Sequence, residues 1–140
     1  MESDLGELFL RAARRIRRGQ VSRLAPLGLT PAQARTLRTI DKMERPPRMT
    51  ELAERLDIVP RSVTTLVDAL ETAGLVRRAP DPANRRSTLI MLTSEGERTL
   101  VRMREARLRA ADELFAPLTA EQRQSLRDLL STLEPDDDRS

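Results

Sequence analysis

The sequence predicts a mainly α-helical chain carrying one small β-hairpin, an α+β arrangement, and three observations carry that prediction. Apolar residues recur at helical spacing through most of the 140 residues. Two short helical stretches, parted by Asp57-Ile58-Val59, precede two β-favouring runs around a tip rich in Pro, Asp and Asn. Amphipathic helices then extend at both ends beyond what a small central domain needs to cover its core. The order from Arg48 to Thr93 is that of a winged helix-turn-helix, and the terminal helices suit a dimerisation layer.

Taken in order, Leu5 to Leu24 reads as an amphipathic helix. Leu5, Leu8, Phe9, Ala12, Ala13, Ile16 and Leu24 share one side; Arg11, Arg14, Arg15 and Arg18 share the other. That basic face is either solvated or a contact for phosphate or another anion. Residues 25 to 30 form a linker. Thr30 is an N-cap before Pro31, and the helix it starts runs to about Met43, where Pro46 and Pro47 stop it. Thr50 is read as the next N-cap, with Glu51 suited to the positive helix end. Leu52, Ala53 and Leu56 are its inner face. Pro60 opens the second helix, about 60–73, with Val63, Leu66, Val67 and Leu70 inward and Gly74 ending it.

Leu75 to Ala79 and Thr88 to Leu92 are expected as strands, joined by an eight-residue loop within a wing at 79–88. Thr93 or Ser94 then caps a long helix to about Ala116. Its seam of Val101, Leu108, Ala111, Phe115 and Leu118 suits packing against another helix, and Arg104 falls in the same seam. Thr119 and Gln122 form a capping box for a last helix, striped by Leu126, Leu129, Leu130 and Leu133. The organisation expected is a dimerisation helix and linker at 1–30, a winged lobe at 31–93, dimerisation helices at 94–134 and an acidic tail at 135–140. Leu5, Phe9, Ile16, Leu108, Phe115, Leu126 and Leu130 are the expected dimer contacts.

Composition narrows function. Cys, His, Tyr and Trp are absent, which removes disulfides, thiolate nucleophiles, Cys/His metal sites and the usual general base. No enzyme, metal or cofactor is expected. No apolar run of about 18 residues and no apolar leader segment is present, so the expected location is the cytoplasm, without a membrane contact. The net charge is +3, and Lys42 is the sole lysine, so nearly all positive charge is arginine, which suits bidentate contacts with phosphate and guanine.

The chain resembles the MarR family of bacterial transcription regulators over nearly its full length. The matching pieces are LGLTPAQ (27–33), MTELAERL (49–56), PRSVTTLVDALETAGLV (60–76), DPANRRS (81–87) and LTSEG (92–96). Their order and spacing carry the resemblance. It implies a homodimer joined through the terminal helices, binding a pseudo-palindromic operator, usually as a repressor. In many members a small phenolic, lipophilic or anionic effector between dimer layer and DNA-binding lobe weakens DNA binding. The absence of Cys removes the thiol switch of one branch, and the missing Trp, Tyr and His favour an aliphatic pocket or none.

On this reading Arg61 reaches guanine, the alternatives being a phosphate or a salt bridge to Glu54 or Asp57. Ser62, Thr64 and Thr65 contact bases, thymine methyls or phosphates, or merely fill the helix start. The helix end at Thr50 meets a phosphate. Arg86 enters the minor groove and Arg85 serves phosphates, unless both pair with Asp81. Arg77 and Arg78 lie on opposite strand faces, so at most one faces DNA, and Arg77 is the candidate. The family wing commonly reads Asp-x-Arg where this chain has Asn84-Arg85-Arg86; either Asp81 substitutes in steadying the wing or the tip is looser. The competing reading is a winged-helix protein-interaction module without sequence-specific DNA binding.

Overall fold

A computed structural model describes residues 2–135, with side chains from Asp4 onward. The elements are α1 (Glu2–Ser22), a short 3-10 turn (Ala25–Leu27), α2 (Pro31–Lys42), α3 (Met49–Leu56), α4 (Pro60–Thr72), β1 (Val76–Asp81), β2 (Asn84–Leu92), α5 (Ser94–Phe115) and α6 (Ala120–Ser131). The tail expected beyond Glu134 falls mostly at residues 136–140, outside the described residues.

Local chemistry sets most of these boundaries. The Thr30 hydroxyl accepts from the Gln33 amide while the Gln33 side chain takes the Thr30 N–H, and Pro31 supplies a ready-made first-turn φ. Thr119 and Gln122 repeat the device at α6. At α5 the cap is Thr93, whose hydroxyl accepts from Gly96 N at 3.0 Å and donates to Gly74 O at 2.6 Å. Gly74 ends α4 in the left-handed region at φ 78°, where glycine carries no Cβ penalty.

Helix α3 departs from expectation. Its N-cap is Arg48, and Thr50 lies one residue inside the helix that Met49 opens. The chain can start earlier because Glu51 reaches back and accepts the Arg48 N–H at 3.1 Å. The helix ends at Asp57, which adopts the left-handed region at φ 53° and closes the turn before α4.

The hairpin is longer than the sequence suggested. Its strands reach a two-residue turn at Pro82-Ala83, and Pro80, Asp81 and Asn84 of the expected eight-residue loop are paired. Val76 faces Leu92 and Pro80 faces Thr88, but Asp81 faces Asn84. Arg85, Arg86 and Ser87 therefore form a bulge on β2, a feature that re-aims side chains. A second departure is that Ile90 N donates to Pro47 O at 2.8 Å and Arg48 bridges Leu89, so the prolines before α3 also seat a short strand-like edge on the wing.

The core lies in the winged lobe. Leu37 and Ile40 of α2, Leu52 and Leu56 of α3, Val63, Val67 and Leu70 of α4, and Ile90 of β2 are buried together with Met103 of α5. The terminal helices are packed differently. α1 meets α5 where Gly19 approaches Ala110, an added Cβ standing 3.3 Å from the Ala110 Cβ, and Arg23 pairs with Glu113. α5 turns Met103 and Ala110 inward and leaves Val101 and Leu108 of its expected seam exposed. Arg104 is also exposed, in no ion pair among the described residues.

Candidate nucleic-acid interface

The outer face of α4 and the base of the wing are joined through Arg78. Burial of Val63, Val67 and Leu70 fixes the rotation of α4, which turns Arg61, Ser62, Thr64, Thr65 and Asp68 to solvent. The Thr64 and Thr65 hydroxyls donate to the carbonyls of Pro60 and Arg61 at 3.1 and 3.2 Å. That leaves their oxygens as acceptors.

Charge on this face is partly neutralised and partly not. Arg78 ties β1 to α4, donating to Asp68 at 2.6 Å and Glu71 at 2.7 Å. The hydrogen bond to Asp68, above all, raises its pKa; burial opposes this and the contact with Glu71 adds to it. Both carboxylates of the helix's second half are thereby consumed. Arg61, Arg77, Arg85 and Arg86 are exposed and enter no ion pair among the described residues. The alternative partners considered for them, Glu54 or Asp57 for Arg61 and Asp81 for Arg85 and Arg86, do not engage them.

Asp81 does something else. It is 6% exposed and pairs with Arg48 Nε at 2.8 Å, while its other oxygen accepts the Ala83 N–H at 2.9 Å. The Ala83 N–H first, then Arg48, holds its carboxyl below the usual carboxylate range. Asp81 thus anchors the base of the turn to the segment before α3 rather than steadying a wing arginine. The wing tip is held locally: the Asn84 side-chain oxygen accepts the Arg86 N–H at 3.1 Å. Because that bond needs only an oxygen acceptor, Asn serves there without a charge. Arg48 was missed from sequence because its partner lies 33 residues away; its place after two prolines and before a helix gave no pairing signal.

At Thr50 the helix end is less open than expected. The Glu51 carboxylate already occupies the first turn, bonded to the Arg48 N–H and paired with Arg45 at 3.0 Å. Thr50 itself is exposed beside an open groove of about 570 Å³ running to Val59 and Pro60.

The expected dimer residues also fall on open surface. Leu5 is 74% and Phe9 58% exposed, Leu108 and Leu130 are exposed, and Ile16, Phe115 and Leu126 are half-buried. Phe115, Leu126 and Leu130 line a groove of about 430 Å³ between α5 and α6, with Asp112, Arg123 and Arg127 at its edges. Deeper in, Arg38 of α2 is half-buried, and burial, then Arg107, then Arg35 lower its pKa, so positive charge is crowded where α2 meets α5. No helix among the described residues is long and apolar enough to cross a membrane, and no cluster of potential metal ligands occurs there.

This architecture matches known proteins. The MarR family model matches residues 29–88. The chain is 33% identical over 138 residues to the HTH-type transcriptional repressor Rv2887 of Mycobacterium tuberculosis, covering 96% of each. Its fold is similar to that of the transcriptional regulator Tm0710 from Thermotoga maritima, with a TM-score of 0.81, 29% identity and coverage of 94% of this chain and 92% of the other. It is also similar to a mutant MarR from E. coli complexed with operator DNA, with a TM-score of 0.64, 28% identity and coverage of 94% of each. Winged lobe, terminal helices and near full-length likeness together establish that the chain belongs to the MarR family of transcription regulators.

Proposed function

We propose that this protein is a cytoplasmic, homodimeric transcription regulator that represses from a pseudo-palindromic operator. The observation that carries the reading is the surface shared by α4 and the wing. Four exposed arginines outside any ion pair among the described residues share it with three exposed hydroxyls. The N-terminal half of α4 enters the major groove, with Arg61 aimed at guanine O6 and N7 and Ser62, Thr64 and Thr65 at neighbouring base edges or phosphates. The bulge carries Arg86 to the adjacent minor groove, positioned through Asn84, and Arg85 and Arg77 to phosphates.

The dimer supplies the spacing. Leu5, Phe9 and Leu108 are large apolar side chains left in water, and Phe115, Leu126 and Leu130 line an open groove. Covering them with the same surfaces of a second copy gives two recognition helices about one helical turn apart. The E. coli relative complexed with operator DNA supports the DNA reading.

Selection of bound sequences from a random duplex pool tests the proposal. A two-fold symmetric consensus with half-site centres about 10 bp apart is expected. Recovery of unselected sequence at low salt overturns sequence-specific binding.

A further inference from the structure

The first residue of the recognition helix cap is unlike its counterparts. Thr30, Thr93 and Thr119 each give a hydroxyl to the first turn of α2, α5 and α6, and Glu51 serves α3. The N-cap of helix α4 is Val59, whose side chain cannot accept a hydrogen bond, and among the described residues no side-chain oxygen replaces it. Valine ranks among the poorest N-caps, and Ser, Thr, Asp or Asn there would make the helix more stable. Val59 also packs against little: it is 63% exposed, next to exposed Pro60, at the tip of the helix. Neither the cap nor the core gains from this valine.

We infer that Val59 is a specificity-determining residue, an apolar knob that reads a thymine methyl in each half-site. The inference rests on the DNA-binding reading above. The thymine C5-methyl is the one apolar group that base pairs present in the major groove. The surroundings of Val59 favour a base edge over the backbone. Glu54 and Asp57 line the same groove as Val59 and Pro60. Two carboxylates repel phosphate, whatever the uncapped N–H groups would otherwise offer it. Arg61, two residues on, provides the charge-bearing contact, and Val59 then discriminates the neighbouring pair by its methyl.

A thermodynamic cycle tests this on the sequence selected from the random pool. Each thymine is replaced singly by deoxyuridine, which removes only the methyl, and wild type is compared with Val59→Ala and Val59→Ser. For wild type, one thymine per half-site should cost about fourfold in affinity when its methyl is lost, the worth of one buried methyl-sized group. For both variants that loss should vanish, while losses at every other thymine persist. Val59→Ser should also melt about 3 °C higher than wild type, because it restores a cap. Equal losses at every thymine for wild type and variants overturn the inference, as does a Val59→Ser variant that melts lower. A selection that yields no consensus overturns the DNA reading itself, before any uridine is introduced.

Discussion

The winged lobe and the terminal helices are made from the same few residue types, yet they end in opposite states. In the lobe, Leu37, Leu52, Leu70 and Ile90 are almost wholly buried against one another. In α1 and α6, Leu5, Leu8, Phe9, Leu10 and Leu129 remain largely exposed, as does Leu133 just after α6. α6 has no buried residue at all among those described. Helical amphipathicity specifies that a face must be covered but not by what. The lobe covers its faces within about 60 residues of sequence, whereas the ends leave theirs open.

The sharpest way to break that contrast is to charge the open face. Phe9→Glu places a carboxylate in the proposed dimer contact and disturbs nothing in the lobe core. We expect a monomer by sedimentation equilibrium with an unchanged helical signal. Operator affinity should drop by about 10²–10⁴, because the second half-site loses its effective concentration. A Phe9→Glu protein that sediments as a dimer would remove this face of α1 from the interface.

Paired truncations compare the regions directly. Leu52→Ala, in the lobe, should cost about 2–5 kcal/mol in urea denaturation. Leu5→Ala should cost under about 0.5 kcal/mol in the dilute monomer, but should lower the melting temperature once dimer forms. Wild-type melting should accordingly rise with protein concentration. Identical penalties at every concentration would show that α1 is covered within one chain.

The same contrast explains which parts were legible in the sequence. Thr30, Thr119 and the stripe Val63, Val67, Leu70 depend on contacts three or four residues apart, so they leave a periodic or paired trace. The Arg48–Asp81 pair and the Pro47–Ile90 hydrogen bond join segments dozens of residues apart and leave none. Thr50 was misplaced by two positions because a cap can come from Glu51's side chain instead of the residue before the helix. Arg85 and Arg86 stand out in the sequence as paired arginines at a hairpin tip, but the bulge that carries them reads as loop, since Pro and Asn mark turns without fixing register. The solvent-facing side of α4 followed from residue type and periodicity; the wing's anchoring needed the fold.

Within the lobe, the wing offers two smaller tests. Arg86→Ala should weaken binding to every sequence and flatten the slope of log affinity against log salt by about one unit per protomer. An unaltered slope would place Arg86 off the DNA. Asp81→Asn should loosen the wing, seen as faster amide exchange at Ala83 and Ile90 at neutral pH. The Asp81 carboxyl is held low in the folded chain, so its contribution is present above the usual carboxylate range and lost as pH falls through its lowered value. The difference between wild type and Asp81→Asn should therefore be full at pH 7 and narrow below about pH 4. A difference that grows on acidification would contradict the Arg48 pairing.

The smallest effect expected is at Asp57, and it separates fold from recognition in the lobe. Asp57 holds φ 53° at the end of α3 and lines the groove beside Val59. Asn tolerates that backbone conformation as well as Asp does, so Asp57→Asn should leave urea stability unchanged within about 0.5 kcal/mol. It removes one negative charge from a surface facing phosphates, an exposed interaction that salt screens. Affinity for random duplex should rise by roughly threefold at low salt and by less near 0.15 M, with the operator gaining no more than random DNA. Selectivity then stays level or falls as binding tightens. If Asp57→Asn instead weakens operator binding alone, the carboxylate accepts a hydrogen bond from a base, as Asp does from cytosine N4, and the groove at Val59 reads two groups rather than one.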